Sequence, residues 1–374
     1  MSLAATSIGA QIWGRMVDPA KLYSNEYKVF SAGKIGSIQL KNRLIKAATL
    51  ERAGLNGSPT DIYLKMVETQ VAGGAGLIIT GGMAVASPAV TETQIHIDDD
   101  RYIPGLEKIV TTAHRIDKTC KIFAQVAHVD NAISPSGINW TGKPTQGTYT
   151  VDQVKRIINS FLEAIIRTKI AGFDGVELNA HYTYFLSSFL SAQTNRREDE
   201  YGGTLENRVR IVKEIIQNAR IKVGNDFPIM IKMNCDDSLS LNARSENGTN
   251  IDNFPLLANE IEKAGFDAIE LSGNTMIRKD ILTKEKESYF ADYTSNLKLN
   301  IPVILTGGNR SLDTIKDIFS RGKIDFFGLA RPLIREPDLV NRWQEKGNEV
   351  KSNCISCNSC LSASGPLRCM QTSE

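Results

Sequence analysis

A chain of 374 residues, 41% hydrophobic and 23% charged, can bury a large core and is not the composition of a disordered protein. Its formal charge of +2, without a run of like charges, leaves no electrostatic footprint for nucleic acid or an anionic membrane. No segment approaches the roughly 18 uninterrupted apolar residues of a membrane span, and the opening MSLAATSIGAQIWGRMVDPA lacks a basic region followed by an apolar core, so a cytoplasmic location is expected.

Residues 1–28 read as an N-terminal extension. Beyond them, short β-rich runs recur: RLIKAA (43–48), GLIIT (76–80), KIFAQVA (121–127), GVELN (175–179), IMIKM (229–233), AIELS (268–272), PVILT (302–306) and IDFFG (324–328). Between them lie segments of helical period, such as 151–173 and 207–224, with apolar residues at i, i+3, i+4 and i+7. Several stop at a glycine, as in KAGFD (263–267) and RGKID (321–325), where glycine suits the left-handed cap. Strands too apolar to alternate, separated by amphipathic helices, imply a parallel sheet covered by helices. A (β/α)8 TIM barrel over 29–350 fits best, with a doubly wound sheet as the alternative, followed by a cysteine-rich tail over 351–374.

In a barrel, chemistry belongs at the carboxyl ends of the strands. The stretch ELNAHYTYFL follows the fourth run and sets Asn179, Tyr182 and Tyr184 at such an end. The competing reading makes the tyrosines core residues with satisfied hydroxyls.

The run 172–208, GFDGVELNAHYTYFLSSFLSAQTNRREDEYGGTLENR, closely resembles the fourth-strand region of the old yellow enzyme family of FMN-dependent oxidoreductases. IGSIQLKNRLIKAA, the glutamine of FAQVAH, TGGN after the seventh run and GLARPLIREPDL after the eighth resemble it further, in the right order, from Phe30 to about Trp343. The resemblance implies an FMN-binding (β/α)8 barrel with ping-pong hydride chemistry.

Barrels commonly hold a phosphate on backbone N–H groups after strands seven and eight, where Gly307 and Gly308 let the chain approach closely. By resemblance Ala330 and Arg331 complete that cup. Gln125 matches the family glutamine, donor and acceptor to the flavin ring. Lys232 stands where many members have arginine, keeping a cation near N1 and O2 but losing the bidentate fork. Ala48 takes a backbone-contacting place, Thr49 follows it, and Gly82 matches a small residue against the ring. Leu50 falls where the family usually places Thr, Cys or Ser to hydrogen-bond flavin O4, which is a departure.

The family also places a His, a His or Asn three residues on, and a Tyr two beyond. Aligned without gaps from EYGG, those positions hold Asn179, Tyr182 and Tyr184. The resemblance implies that the first two anchor a carbonyl or nitro oxygen and that Tyr184 donates a proton. The missing histidine favours another electron-poor substrate, or an oxidation as in the related trimethylamine dehydrogenase. His181 faces away from Ala180 and Tyr182 while the chain stays extended and is not assigned to the substrate. His128 follows Gln125 on strand three, and His96 and His114 carry no metal-ligand spacing.

Cys354, Cys357, Cys360 and Cys369 give C-x2-C-x2-C-x8-C, whereas Cys120 and Cys235 lie in apolar or near-strand contexts. The tail is similar to the iron–sulfur segment after the barrel in trimethylamine dehydrogenase and 2,4-dienoyl-CoA reductase, with a shorter last interval. Four thiolates suit a [4Fe–4S] cluster or, second, zinc. Those relatives carry further nucleotide-binding domains; here electrons are expected from free NAD(P)H or a separate protein. The function expected is an NAD(P)H-consuming, FMN-dependent oxidoreductase that reduces an activated alkene or similar acceptor. An amine-type dehydrogenase passing electrons through the cluster and a non-catalytic, redox-sensing flavin module are the alternatives. Stretches 235–251 and 274–295, with Tyr289, Phe290 and Tyr293, are expected to cover the mouth. Substrate, NADH against NADPH, and homo-oligomer formation stay open.

Overall fold

The structure, a computed structural model, describes residues 11–12, 15–16, 25–86, 91–130, 132–239, 247–274 and 278–371. Its centre is a ring of eight parallel strands, to which the two residues Met83–Ala84 add a short parallel pairing along the third: β1 (Leu44–Lys46), β2 (Leu77–Ile79), β3 (Lys121–Ala127), β4 (Gly175–Ala180), β5 (Ile229–Asp236), β6 (Ala268–Gly273), β7 (Val303–Thr306) and β8 (Phe326–Leu329). Each pairs with the next, and β8 returns to β1 with Gly328 opposite Ile45, so the sheet closes. The chain forms a (β/α)8 barrel, and closure rules out the doubly wound alternative. Each of the eight β-rich runs of the sequence overlaps one of these strands.

The outer layer holds α1 (Asp61–Ala72), α2 (Ile103–Ile116), α3 (Val151–Ile170), α4 (Phe185–Leu190), α5 (Leu205–Val223), α6 (Phe254–Ala264), α7 (Leu312–Ser320), α8 (Arg331–Arg335) and α9 (Leu339–Lys346). α3 shows why these segments are helical. Thr150 and Gln153 form a reciprocal capping box at its start, and Val154, Ile157, Ile158, Phe161, Ala164 and Ile165 bury one face. α6 ends at Gly265, whose φ of 102° requires a residue without a Cβ penalty.

The strands sort their side chains by alternation. Val176, Leu178 and Ala180 of β4, like Ile231 and Met233 of β5 and Ile269 and Leu271 of β6, join the buried cluster shared with the helices. The opposite faces point into the barrel. At its amino-terminal end Phe123, Met230, Ala268, Ile304 and Phe326 pack with Ile35 and Leu40 of an antiparallel hairpin, Gly33–Ile35 with Ile38–Leu40, which plugs the floor. One step up, the inward positions become polar: Gln125, Glu177, Lys232 and Glu270, all buried. Register puts Gln125 opposite Glu177 and Lys232 opposite Glu270.

Residues 351–371 lie on the barrel. Arg52 donates to the carbonyls of Cys360, Leu361 and Ala363, Arg310 donates to that of Ser352, and Glu336 accepts from the Ser352 hydroxyl and the Asn353 amide. Among the described residues no helix is long and apolar enough to cross a membrane.

Candidate active site

A cavity of about 420 Å³ opens at the carboxyl ends of the strands, within the roughly 300–1,000 Å³ typical of cofactor and small-molecule sites. At one end lie Thr306, Gly307, Gly308, Asn309, Ala330 and Arg331; at the other lie Gln125, Asn179, His181, Tyr184 and Lys232, with Ala48, Thr49, Leu50 and Gly82 along the wall. Gly307 and Gly308 adopt φ of 151° and 78°, a backbone open to glycine, and side chains there would strike Tyr289 and Phe290. The Thr306 hydroxyl is buried with no partner among the described residues, and a Cβ on Gly328 would come within 1.9 Å of it. An orphaned hydroxyl, two positive-φ glycines and the Arg331 guanidinium suit a phosphate, and an amide and an ammonium at the far end suit a polar heterocycle. The residues present fit FMN.

The polar layer beneath the cavity is a network. Lys232 Nζ lies 2.7 Å from Glu270 Oε1, and the Gln125 amide donates to Glu177 Oε1 at 2.6 Å. Burial, then the neighbouring Glu270, pushes the Glu177 carboxyl well above the ordinary carboxylate range. Lys232 stays charged: burial opposes this, but Glu270 and Glu177 outweigh it and raise its pKa. Lys46 at the end of β1 is pushed down to about 8 by burial, and its ammonium donates to the Thr49 hydroxyl at 2.8 Å. Thr49 keeps its own hydroxyl proton to donate, whereas Leu50 beside it brings only hydrocarbon to the cavity wall.

After β4 the alternation continues for one more inward position. Asn179 and His181 both line the cavity; Tyr182 does not. Tyr182 takes φ of 55°, and its N–H and carbonyl are clamped by the Asn234 side chain on β5 at 2.8 and 3.0 Å. Its half-buried ring packs edge-on to Tyr184 at 6.0 Å. The turn brings Tyr184 back to the cavity, where burial raises the pKa of its phenol and keeps the proton on.

Of the residues singled out in the sequence, Ala48, Thr49, Leu50, Gly82, Gln125, Asn179, Tyr184, Lys232, Gly307, Gly308, Ala330 and Arg331 line one cavity, and Tyr182 stands apart from it. Asn179 does not present a free amide: its Oδ1 accepts from His181 and its Nδ2 donates to Gln125 at 3.2 Å. Arg52, which the sequence does not single out, and His181, which it leaves unassigned, line the cavity too, as does Tyr289, expected at the mouth. Plain alternation from Glu177 reaches His181; nothing local marks Arg52. Of the mouth segments, 240–246 and 275–277 lie outside the described residues, while Tyr293 donates from its hydroxyl to Asp236. His128 is buried edge-on against Phe185 at 5.0 Å, and His114 meets Asp174 at 2.9 Å.

Cys354, Cys357, Cys360 and Cys369 line a separate hollow of about 20 Å³ together with Arg331 and Arg335. Burial raises the Cys360 thiol, and the three other thiols act on it, whereas hydrogen bonds from Ser359 lower Cys357. The donor set is right for a thiolate-bound centre, but among the described residues no group of three or more such side chains stands at metal-holding geometry.

A model of the NADH:flavin oxidoreductase / NADH oxidase family matches residues 28–349. A metal reductase of Desulforamulus reducens is 32% identical over 366 residues, covering 92% of this chain and 53% of that protein. An NADH oxidase of Thermoanaerobacter brockii is 30% identical, covering 88% of this chain and 52% of its own length. The chain thus spans about half the length of these curated relatives. Among solved structures, the histamine dehydrogenase of Rhizobium sp. 4-9 aligns with a TM-score of 0.81 over 93% of this chain and 52% of its own; at 24% identity it speaks for the fold alone.

Proposed function

The chain belongs to the NADH:flavin oxidoreductase / NADH oxidase family, to which its resemblance to old yellow enzyme pointed, and from that premise we propose that it binds FMN in the cavity, takes hydride from NAD(P)H and reduces an electron-poor acceptor such as an activated alkene. The observation that carries this reading is the polarity of this cavity, with Gly307, Gly308 and Arg331 at one end and Gln125 and Lys232 at the other. FMN would supply the two-electron hydride chemistry. The protein's part is to hold and orient. Gly308, Ala330 and Arg331 would take the phosphate, Gln125 would keep one amide hydrogen for the ring, and the Lys232 ammonium would sit where reduced flavin gathers negative charge. Tyr184, whose phenol lines the cavity with a raised pKa, would give a proton to substrate carbon.

The test is the visible spectrum of anaerobically purified protein, followed by titration with NADH and NADPH. A flavin band at about one FMN per chain, bleached by either nucleotide, is the expected result. Folded protein that is colourless and takes up no FMN on soaking sinks the proposal.

A second reading rests on the shared hollow of Cys354, Cys357, Cys360 and Cys369: that these thiolates hold a [4Fe–4S] cluster, or else zinc, and that the protein passes electrons outward as a dehydrogenase. Iron and acid-labile sulfide near about four each per chain would support the cluster, zinc near one without sulfide would select the structural site, and neither metal would remove this reading.

A further inference from the structure

The hydrogen bonds under the cavity have a direction, and one backbone amide sets it. The His181 N–H can only donate, and it reaches the Asn179 side chain at 3.2 Å, so the atom it meets is the amide oxygen. The same oxygen lies 2.7 Å from His181 Nδ1. An amide oxygen cannot donate, so Nδ1 carries the hydrogen. The other end of that amide, Nδ2, donates to Gln125 Oε1, whose Nε2 donates to Glu177 Oε1. Every amide orientation from the buried carboxyl to the cavity follows from the first bond.

The ring's protonation state follows from its surroundings. Burial and the nearby Lys232 ammonium both hold His181 well below the ordinary histidine range, so the imidazole is neutral. The aromatic neighbour is Tyr184, with ring centroids 6.0 Å apart. Nε2 has no protein partner among the described residues, and His181 lines the cavity.

We propose that His181 presents a bare Nε2 lone pair to the cavity, so that the site recognises its substrate through a hydrogen-bond acceptor and takes molecules bearing a hydroxyl or amine N–H donor beside the reactive bond. The two donors expected from the sequence to grip a carbonyl oxygen are thereby replaced by an acceptor. Asn179 acts as the positioning residue that fixes the tautomer, and Glu177 and Gln125 support it from below.

The substrate class rests on the flavin reading; the tautomer does not. Two-bond ¹H–¹⁵N correlation of ¹⁵N-labelled holoenzyme reads the ring directly, with His181→Phe, or His181→Gln if the first fails to fold, identifying the resonance. A bare Nε2 and a protonated Nδ1 at neutral pH are expected; a hydrogen on Nε2 overturns the proposal, whatever the colour of the protein. Calorimetric titration with phenol and with anisole, which share the aryl oxygen while a methyl group replaces the donor hydrogen, tests recognition. Phenol should bind about tenfold tighter, the worth of one hydrogen bond, and the difference should vanish in His181→Phe. Anisole binding as tightly as phenol, or a preference that survives the substitution, defeats the acceptor role. Colourless protein with a bare Nε2 would fail the flavin reading and leave this one standing.

Discussion

Two stretches of the segment after β4 stand in contrast. Residues 195–203 are the most distinctive mark of the family in this chain, yet none of them lines the cavity. They form a knot: the Asn195 amide donates to the carbonyls of Phe189 and Tyr201 at 2.7 Å each, Arg197 donates to those of Pro135 and Tyr149 and pairs with Asp199, and the Tyr201 hydroxyl reaches Glu214. Residues 179–184 depart from the family pattern, and three of them line the cavity. The knot satisfies backbone groups that a long loop would otherwise leave unpaired. The turn before it meets whatever occupies the cavity and is free to differ. Recognition and action therefore reside in adjacent but separate residues.

The largest test of that contrast is Tyr184→Phe. On the proposed role of Tyr184 as proton donor, reduction of an alkene substrate should slow by about 10² to 10⁴, roughly 3–5 kcal/mol, while flavin reduction by NAD(P)H stays within a few fold. Stopped-flow kinetics separates the two, and equal slowing of both would mean damaged packing. Arg197→Ala should do the reverse. It strips charge-assisted bonds from a side chain only 8% exposed and should lower unfolding stability in urea by about 3 kcal/mol, with phenol affinity changed less than about threefold by the distance argument. A large affinity loss without a stability loss would erase the division.

Glu177→Gln has a smaller effect, visible in pH. Because the buried carboxyl titrates well above its unfolded value, the folded chain binds more protons than the unfolded one above the ordinary Glu range, so stability falls as pH rises until the carboxyl itself ionises. The amide mimics the protonated acid and should flatten that slope; denaturation midpoints across mildly acidic to alkaline pH would show it. The smallest expected effect is at Tyr182. Since it does not line the cavity, Tyr182→Phe should leave alkene reduction within about threefold of wild type, well short of a general-acid loss. Slowing on the Tyr184 scale would return Tyr182 to the site.

Much of the fold was legible because its signals are local. Parallel strands buried on both faces read as continuous apolar runs, and α3 carries its own cap and period. Positions at strand ends inherit that clarity: Gln125 and Lys232 both line the cavity. The β4 turn differs from its ungapped spacing for a local reason as well: that spacing sets Tyr182 toward the cavity, where strand alternation, continuing to the left-handed residue, brings His181. Other parts could not be read at all. The Glu270 partner of Lys232 lies one strand away, and Asn234 clamps a turn 52 residues earlier. Arg52 meets the tail about 308 positions on. Contacts of that separation leave no period in a sequence.

Arg331 faces two ways. It lines both the main cavity and the four-cysteine hollow, and its guanidinium donates to Asn358 between two of those cysteines at 2.5 Å, while Ser356, Leu361 and Leu367 of the tail form cavity wall. The two sites are thus rooms divided by one partition. Whatever free energy that partition transmits is reciprocal: a ligand that orders the tail and tightens the cavity by some factor must itself be held tighter by the same factor when the cavity is filled. Clipping the tail would reach the cavity as well, by taking out its shared wall.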